Sequence, residues 1–163
     1  MFPNKMTSRD ACAARYGHID LASGHWADKD KWIKYYHVPQ GWFPNWHVLD
    51  TKQPVSVIAC NIDMHEPLGK ALEAVHQLGH GDVLRTYDGA FALRAVRASS
   101  LISAHAWGLA IDINASINPL GSTSGDFTKH ADVVQCFTAQ GFAWGGNFHG
   151  RKDSMHFSYC FEG

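Results

Sequence analysis

Residues 103–112 read Ser103-Ala104-His105-Ala106-Trp107-Gly108-Leu109-Ala110-Ile111-Asp112. Leu109, Ile111 and Ile113 alternate with Ala110, Asp112 and Asn114, the period-two pattern of a half-buried strand over 109–114. An aspartate within that apolar run is costly if it is buried without a partner. His105 lies seven residues upstream of it. On one continuous strand an odd spacing sets two side chains on opposite faces. Gly108 can break the path, so that His105 sits on a turn while Asp112 points inward. A metal ion beside the aspartate would offset the cost of burying it.

Working outward, strands are expected over 82–87, 90–96 and 155–160, with Asp88-Gly89 as the hairpin turn between the first two. A helix is expected over 66–78. Pro67 suits its first turn, Leu68, Ala71, Leu72, Val75 and Leu78 recur at helical spacing, and Gly79 stops it. A second helix is expected over 127–140, capped by Asp126, with Val133, Val134 and Phe137 as its apolar stripe and Gly141 at its end. Segregated strands and helices indicate an α+β fold with a small antiparallel sheet and flanking helices.

The chain has 163 residues, 45% hydrophobic and 18% charged, enough for one compact domain over 1–163. Within it, residues 1–55 are aromatic and loop-like, carrying Trp26, Trp32, Trp42 and Trp46, and are expected to pack over a core formed by 56–163. A formal charge of -1 excludes the basic excess of a dedicated nucleic-acid binder. No stretch reaches the roughly 18 apolar residues of a membrane-spanning helix. Met1-Phe2-Pro3-Asn4-Lys5 lacks the apolar block of a signal peptide, so a soluble, cytoplasmic protein is expected. A monomer is the separate expectation for its assembly. Cys12, Cys60, Cys136 and Cys160 form no C-x-x-C pair and are expected as free, mostly buried thiols, with a Cys60–Cys160 bridge as the alternative.

A second chemistry-bearing segment is Asp153-Ser154-Met155-His156-Phe157. With the first it supplies two imidazoles, one ligand carboxylate and one spare carboxylate. Two histidines and one carboxylate leave the fourth position of a zinc ion open, as hydrolytic sites require. A spare carboxylate nearby is then the natural proton acceptor for an activated water.

The pattern formed by Ser103, His105, Gly108, Ala110 and Asp112, followed by Asp153 and His156, resembles the zinc peptidoglycan peptidases of the D-Ala-D-Ala carboxypeptidase and VanY-like family. That family includes phage L-alanyl-D-glutamate endopeptidases (endolysins). The resemblance runs from the 66–78 helix to the end of the chain. It implies a hedgehog/D-Ala-D-Ala-peptidase-like fold and one Zn2+ held by His105, Asp112 and His156. Asp153 falls where the family has its catalytic acid, often a glutamate, and its shorter side chain is a departure. Asp88-Gly89-Ala90-Phe91-Ala92-Leu93-Arg94 looks like the stretch bearing the family's substrate arginine, which implies Arg94 first and Arg97 second. Trp144-Gly145-Gly146 resembles the groove-wall segment.

The implied substrate is the stem peptide of bacterial peptidoglycan. The bond favoured is L-Ala–D-Glu, cut by a phage enzyme held in the host cytoplasm until lysis. D-Ala-D-Ala carboxypeptidase or dipeptidase activity is the rival within the class, and a non-catalytic zinc module of hedgehog-like fold is the rival outside it. A third reading makes residues 1–55 a separate wall-binding module. Ser103, Trp107 and Trp144 are candidate substrate contacts. For Ser103 a turn or ligand-supporting hydrogen bond is favoured, and for both tryptophans core packing remains open. Among the other histidines, His65 and His130 read as surface or structural, and His149 stands out for its place in the loop before Asp153.

Overall fold

The protein is described by a computed structural model that covers Phe2 and residues 4–162. In chain order its elements are α1 (Arg9–Tyr16), α2 (Lys29–Trp32), β1 (Ile33–His37), β2 (His47–Val48), β3 (Val57–Asn61), α3 (Ile62–Gln77), β4 (Thr86–Gly89), β5 (Ala110–Ile113), α4 (Ala131–Thr138), β6 (Ala143–Trp144) and β7 (His156–Ser158). Five strands form one sheet in the order β2-β4-β5-β7-β6. Its pairs are antiparallel except at one edge, where β2 runs parallel to β4. The fold class is thus α+β, as expected.

The alternating run becomes β5 at the centre of this sheet. Leu109, Ile111 and Ile113 are fully buried, and so is Ala110, because β5 is covered more completely than a half-buried strand. Its neighbours β4 and β7 shield both of its edges.

Helix α3 starts at Ile62, four residues before the expected position. The buried Asn61 explains this: its side chain accepts a hydrogen bond from Asp63 N at 3.0 Å and donates to Trp107 O at 3.1 Å. Pro67 consequently lies inside the helix and not in its first turn. Leu68, Ala71, Leu72 and Val75 are fully buried, whereas Leu78 caps the helix and is exposed.

The expected 127–140 helix is broken. Residues Asp126–Lys129 form a 3-10 turn and α4 begins after His130. Asp126 therefore does not cap it. Asn118 serves the turn instead, its Oδ1 accepting from Phe127 N at 2.8 Å.

Two further expectations require correction. Asp88-Gly89 is not a hairpin turn: both residues lie in β4, which pairs with β5. Residues 90–96 form no strand beyond a single Ala95–Ile102 bridge. Their backbone groups are taken by the turn that carries His105. Ala92 N donates to His105 O at 3.1 Å, Arg94 O accepts from Ser103 N at 3.2 Å, and Val96 N donates to Leu101 O at 2.8 Å. The 82–87 segment opens as a 3-10 turn at Gly81–Val83. The buried Asn114 links it to the sheet, with Oδ1 accepting from Arg85 N and Thr86 N and Nδ2 donating to Val83 O.

Cys12, Tyr16, Ile19, Trp26, Phe43 and Trp46 share one buried cluster with Leu68, Ile111 and Phe157. Strand β1 pairs antiparallel with β3 along its full length. All four cysteines are free and buried. The thiols that meet are Cys12 and Cys160, whose hydrogen bond, with burial, pushes Cys12 far up. No helix among the described residues is long and apolar enough to cross a membrane.

Gly108 occupies the left-handed region at φ +68°, and a Cβ there would lie 2.5 Å from Ile33 Cδ1 and 2.8 Å from Asn61 N. Both the backbone and the packing therefore demand glycine. Gly108→Ala should cost at least ~2 kcal/mol and lower Tm by about 4–8 °C for a chain of this size. An unchanged Tm in a calorimetric scan would contradict this role for Gly108.

Candidate metal centre

His105 sits in the 3-10 turn Ala104–Trp107, which Ser103 opens and Gly108 ends. The Ser103 hydroxyl accepts from His105 N at 3.3 Å, so its first role is to cap this turn. After Gly108 the chain enters β5, where Asp112 pairs in register with His156 of β7. Residues opposite one another on antiparallel strands project from the same face. The turn and the register thus bring three distant side chains to one point.

Their ligand atoms form a nearly equilateral triangle. His105 Nε2 lies 3.2 Å from Asp112 Oδ1, His156 Nδ1 lies 3.0 Å from the same oxygen, and the two nitrogens are 3.2 Å apart. A tetrahedral zinc with bonds near 2.0–2.1 Å separates its ligand atoms by roughly 3.3 Å. The triangle therefore fits one face of such a tetrahedron. His105 and His156 are 3% and 5% exposed, so bulk water does not hold them apart.

The tautomers suit metal binding. His105 Nδ1 lies 2.8 Å from Ala90 O, which places a proton there and turns Nε2 toward the cluster. His156 Nε2 has no partner, so Nδ1 is the polar contact of that ring. Burial pushes Asp112 upward, yet the charge and hydrogen bonds of His105 and His156 more than reverse this and hold it below the usual carboxylate range. Burial lowers His156 and Asp112 more than restores it, leaving it raised. The carboxylate is thus held ionised at a point that attracts a cation. On donor type, spacing and burial the three residues fit a zinc ion.

Asp153 lines the same cleft, of about 430 Å³. Its Oδ1 is buried with no hydrogen-bond partner among the described residues. Burial is the chief cause of its raised pKa, with the Asp112 charge adding to it. A close approach to Gly145 positions it: Asp153 N donates to Gly145 O at 3.0 Å, and a Cβ on Gly145 would run into the Asp153 carbonyl. Asp153 O in turn accepts from His156 N at 3.0 Å, tying this carboxylate to a ligand through one turn.

Arg94, Arg97 and Ser103 also line the cleft. Arg94 is close enough for its charge to lower the Asp153 pKa. Two expected contacts fall elsewhere. Trp107 is fully buried and its indole donates to Gly17 O at 3.2 Å, so it belongs to the core and not to the groove wall. Trp144 is half-buried and donates to Ser154 O at 2.8 Å, which makes it a brace for the Asp153 turn and not a lining residue. His149 does line the cleft, as do Phe148 and Arg151, which sequence reasoning missed. Their sole signal was membership of the glycine-bounded loop before Asp153.

Residues 97–159 match a protein-family model described as D-alanyl-D-alanine carboxypeptidase. No curated protein and no solved structure matches the chain. The matched span contains Arg97, Ser103, His105, Asp112, Asp153 and His156 and stops short of Arg94. Over that span the chain is similar to the D-alanyl-D-alanine carboxypeptidase family, and the match supports a peptidase.

Proposed function

We propose that the chain is a zinc-dependent peptidase of bacterial peptidoglycan that cuts a stem-peptide bond, L-Ala–D-Glu in the favoured reading, as the lysis enzyme of a phage. The observation that carries the hydrolytic reading is the buried His105–Asp112–His156 triangle beside an unpartnered, raised-pKa Asp153 in one open cleft.

His105, Asp112 and His156 would hold the ion, which would polarise a carbonyl and lower the pKa of water toward about 7. Asp153 takes a proton from the attacking water and passes it to the leaving amine. Its raised pKa suits both steps, since a base closer to neutrality is also a usable acid. The Arg94 guanidinium, with Arg97 beside the same cleft, stabilises the carbonyl oxygen as negative charge develops. No serine or cysteine attack is required, so no covalent intermediate forms. The arginines also favour a peptide that carries carboxylates, as the stem peptide does.

A second reading, removal of a terminal D-alanine, is favoured by the description of the matching family. Mass spectrometry of muropeptides after digestion of purified peptidoglycan separates the two. New amino-terminal D-glutamate is expected, and release of free D-alanine alone would overturn the endopeptidase assignment.

Asp153→Ala should keep its zinc and lose about 10²–10⁴-fold in turnover on the same substrate. A variant that digests walls as fast as the parent would remove Asp153 as the base. Loss of zinc from it would instead make Asp153 a ligand.

A further inference from the structure

A second group of metal-ligating side chains lies outside the cleft. His80 follows α3, and His130 and Asp132 stand at the start of α4. His80 Nε2 is 3.2 Å from Asp132 Oδ2, and one ligand atom from each of the three residues lies within 4.8 Å of the others. The rings of His80 and His130 meet edge to face at 6.5 Å. Asp126 Oδ1 lies 3.6 Å from His130 Nε2 and adds negative charge beside it. Asp132 Oδ1 accepts from Val133 N at 2.9 Å, which orients the carboxylate and leaves Oδ2 for His80.

We propose that His80, His130 and Asp132 form a second zinc site that staples the end of α3 to the start of α4. Two imidazoles and a carboxylate are the donor set of the cleft, and imidazole nitrogen suits zinc better than it suits magnesium or calcium. The 3.2 Å His80–Asp132 separation already equals a ligand–ligand edge around zinc. A His130 ligand atom already stands within 4.8 Å of the other two, and its side chain is 30% exposed. The side chains here are 30–49% exposed, against 4–14% in the cleft, so water fills the remaining coordination positions and the site binds more weakly. The staple acts on the helix that supports the cleft: Phe137 of α4 stacks at 4.4 Å on Phe157, the residue after His156.

The test is calorimetric titration of the full chain, stripped of metal, with zinc at about pH 8, above the ordinary imidazole pKa. Two classes of site are expected, each of one equivalent. The double variant His80→Gln, His130→Gln should lose only the weaker class and keep the parent's peptidase activity. His105→Gln should lose only the tighter class. A single equivalent in the parent that His105→Gln abolishes would overturn the proposal and leave an ordinary His80–Asp132 ion pair, whereas one that His105→Gln keeps and the double variant loses would instead overturn the cleft as the zinc site. Two equivalents in the double variant with a parent-like circular dichroism spectrum would also overturn the proposal. Asp132→Asn is near-isosteric and serves if the double variant does not fold: loss of the weaker class supports the site, and its retention refutes it.

Discussion

A carboxylate held between fully buried isoleucines is the constraint on which the rest of the molecule turns. Asp112 lies in β5 between Ile111 and Ile113, and its side chain is only 14% exposed, so its charge has little solvent to spread into. A buried ion left alone costs several kcal/mol even after relaxation. The surrounding structure answers that cost from two directions. The β5–β7 register places His156 opposite, and the left-handed turn at Gly108 swings His105 over the same oxygen. The carbonyl of Ala90 then fixes the His105 tautomer. Strand pairing, turn geometry and ring orientation thus serve one point, and a cation bound there would stabilise the folded state by mass action.

Around this point the cleft divides its labour by chemistry. Leu120, Phe148 and Met155 give it apolar wall, while Arg94, Arg97 and Arg151 give it positive charge. The buried Oδ1 of Asp153 has no hydrogen-bond partner among the described residues, and the Gly145 and Trp144 contacts hold its turn. Asp112, Asp153 and Glu162 set negative charge against these arginines in the same cleft, and a guanidinium keeps its charge whatever its neighbours.

The site was more legible in the sequence than the frame that carries it. His105, Asp112, Asp153 and His156 could be read because each is a polar residue set at a defined spacing in an apolar context. Frame errors arose where side chains replaced backbone pairing. Asn61 started α3 four residues early, Asn118 displaced Asp126 as a cap, and Asn114 stitched an irregular turn to the sheet. Buried asparagines of this kind leave no periodic trace. The 90–96 segment has strand-forming composition, yet its hydrogen bonds go to the His105 turn. Trp107 shows the converse limit: adjacency to a ligand in sequence says nothing of exposure, and the indole points into the core. His80 and His130 are 50 residues apart, so the cluster they form with Asp132 could be seen only once α3 and α4 were packed.

The most direct measurement is anomalous diffraction at the zinc edge from crystals grown with zinc. The account predicts a strong peak in the cleft about 2.0–2.1 Å from His105 Nε2, Asp112 Oδ1 and His156 Nδ1, with a light atom at its open corner. A cleft without such a peak, or one in which Asp153 closes the fourth position, would contradict it.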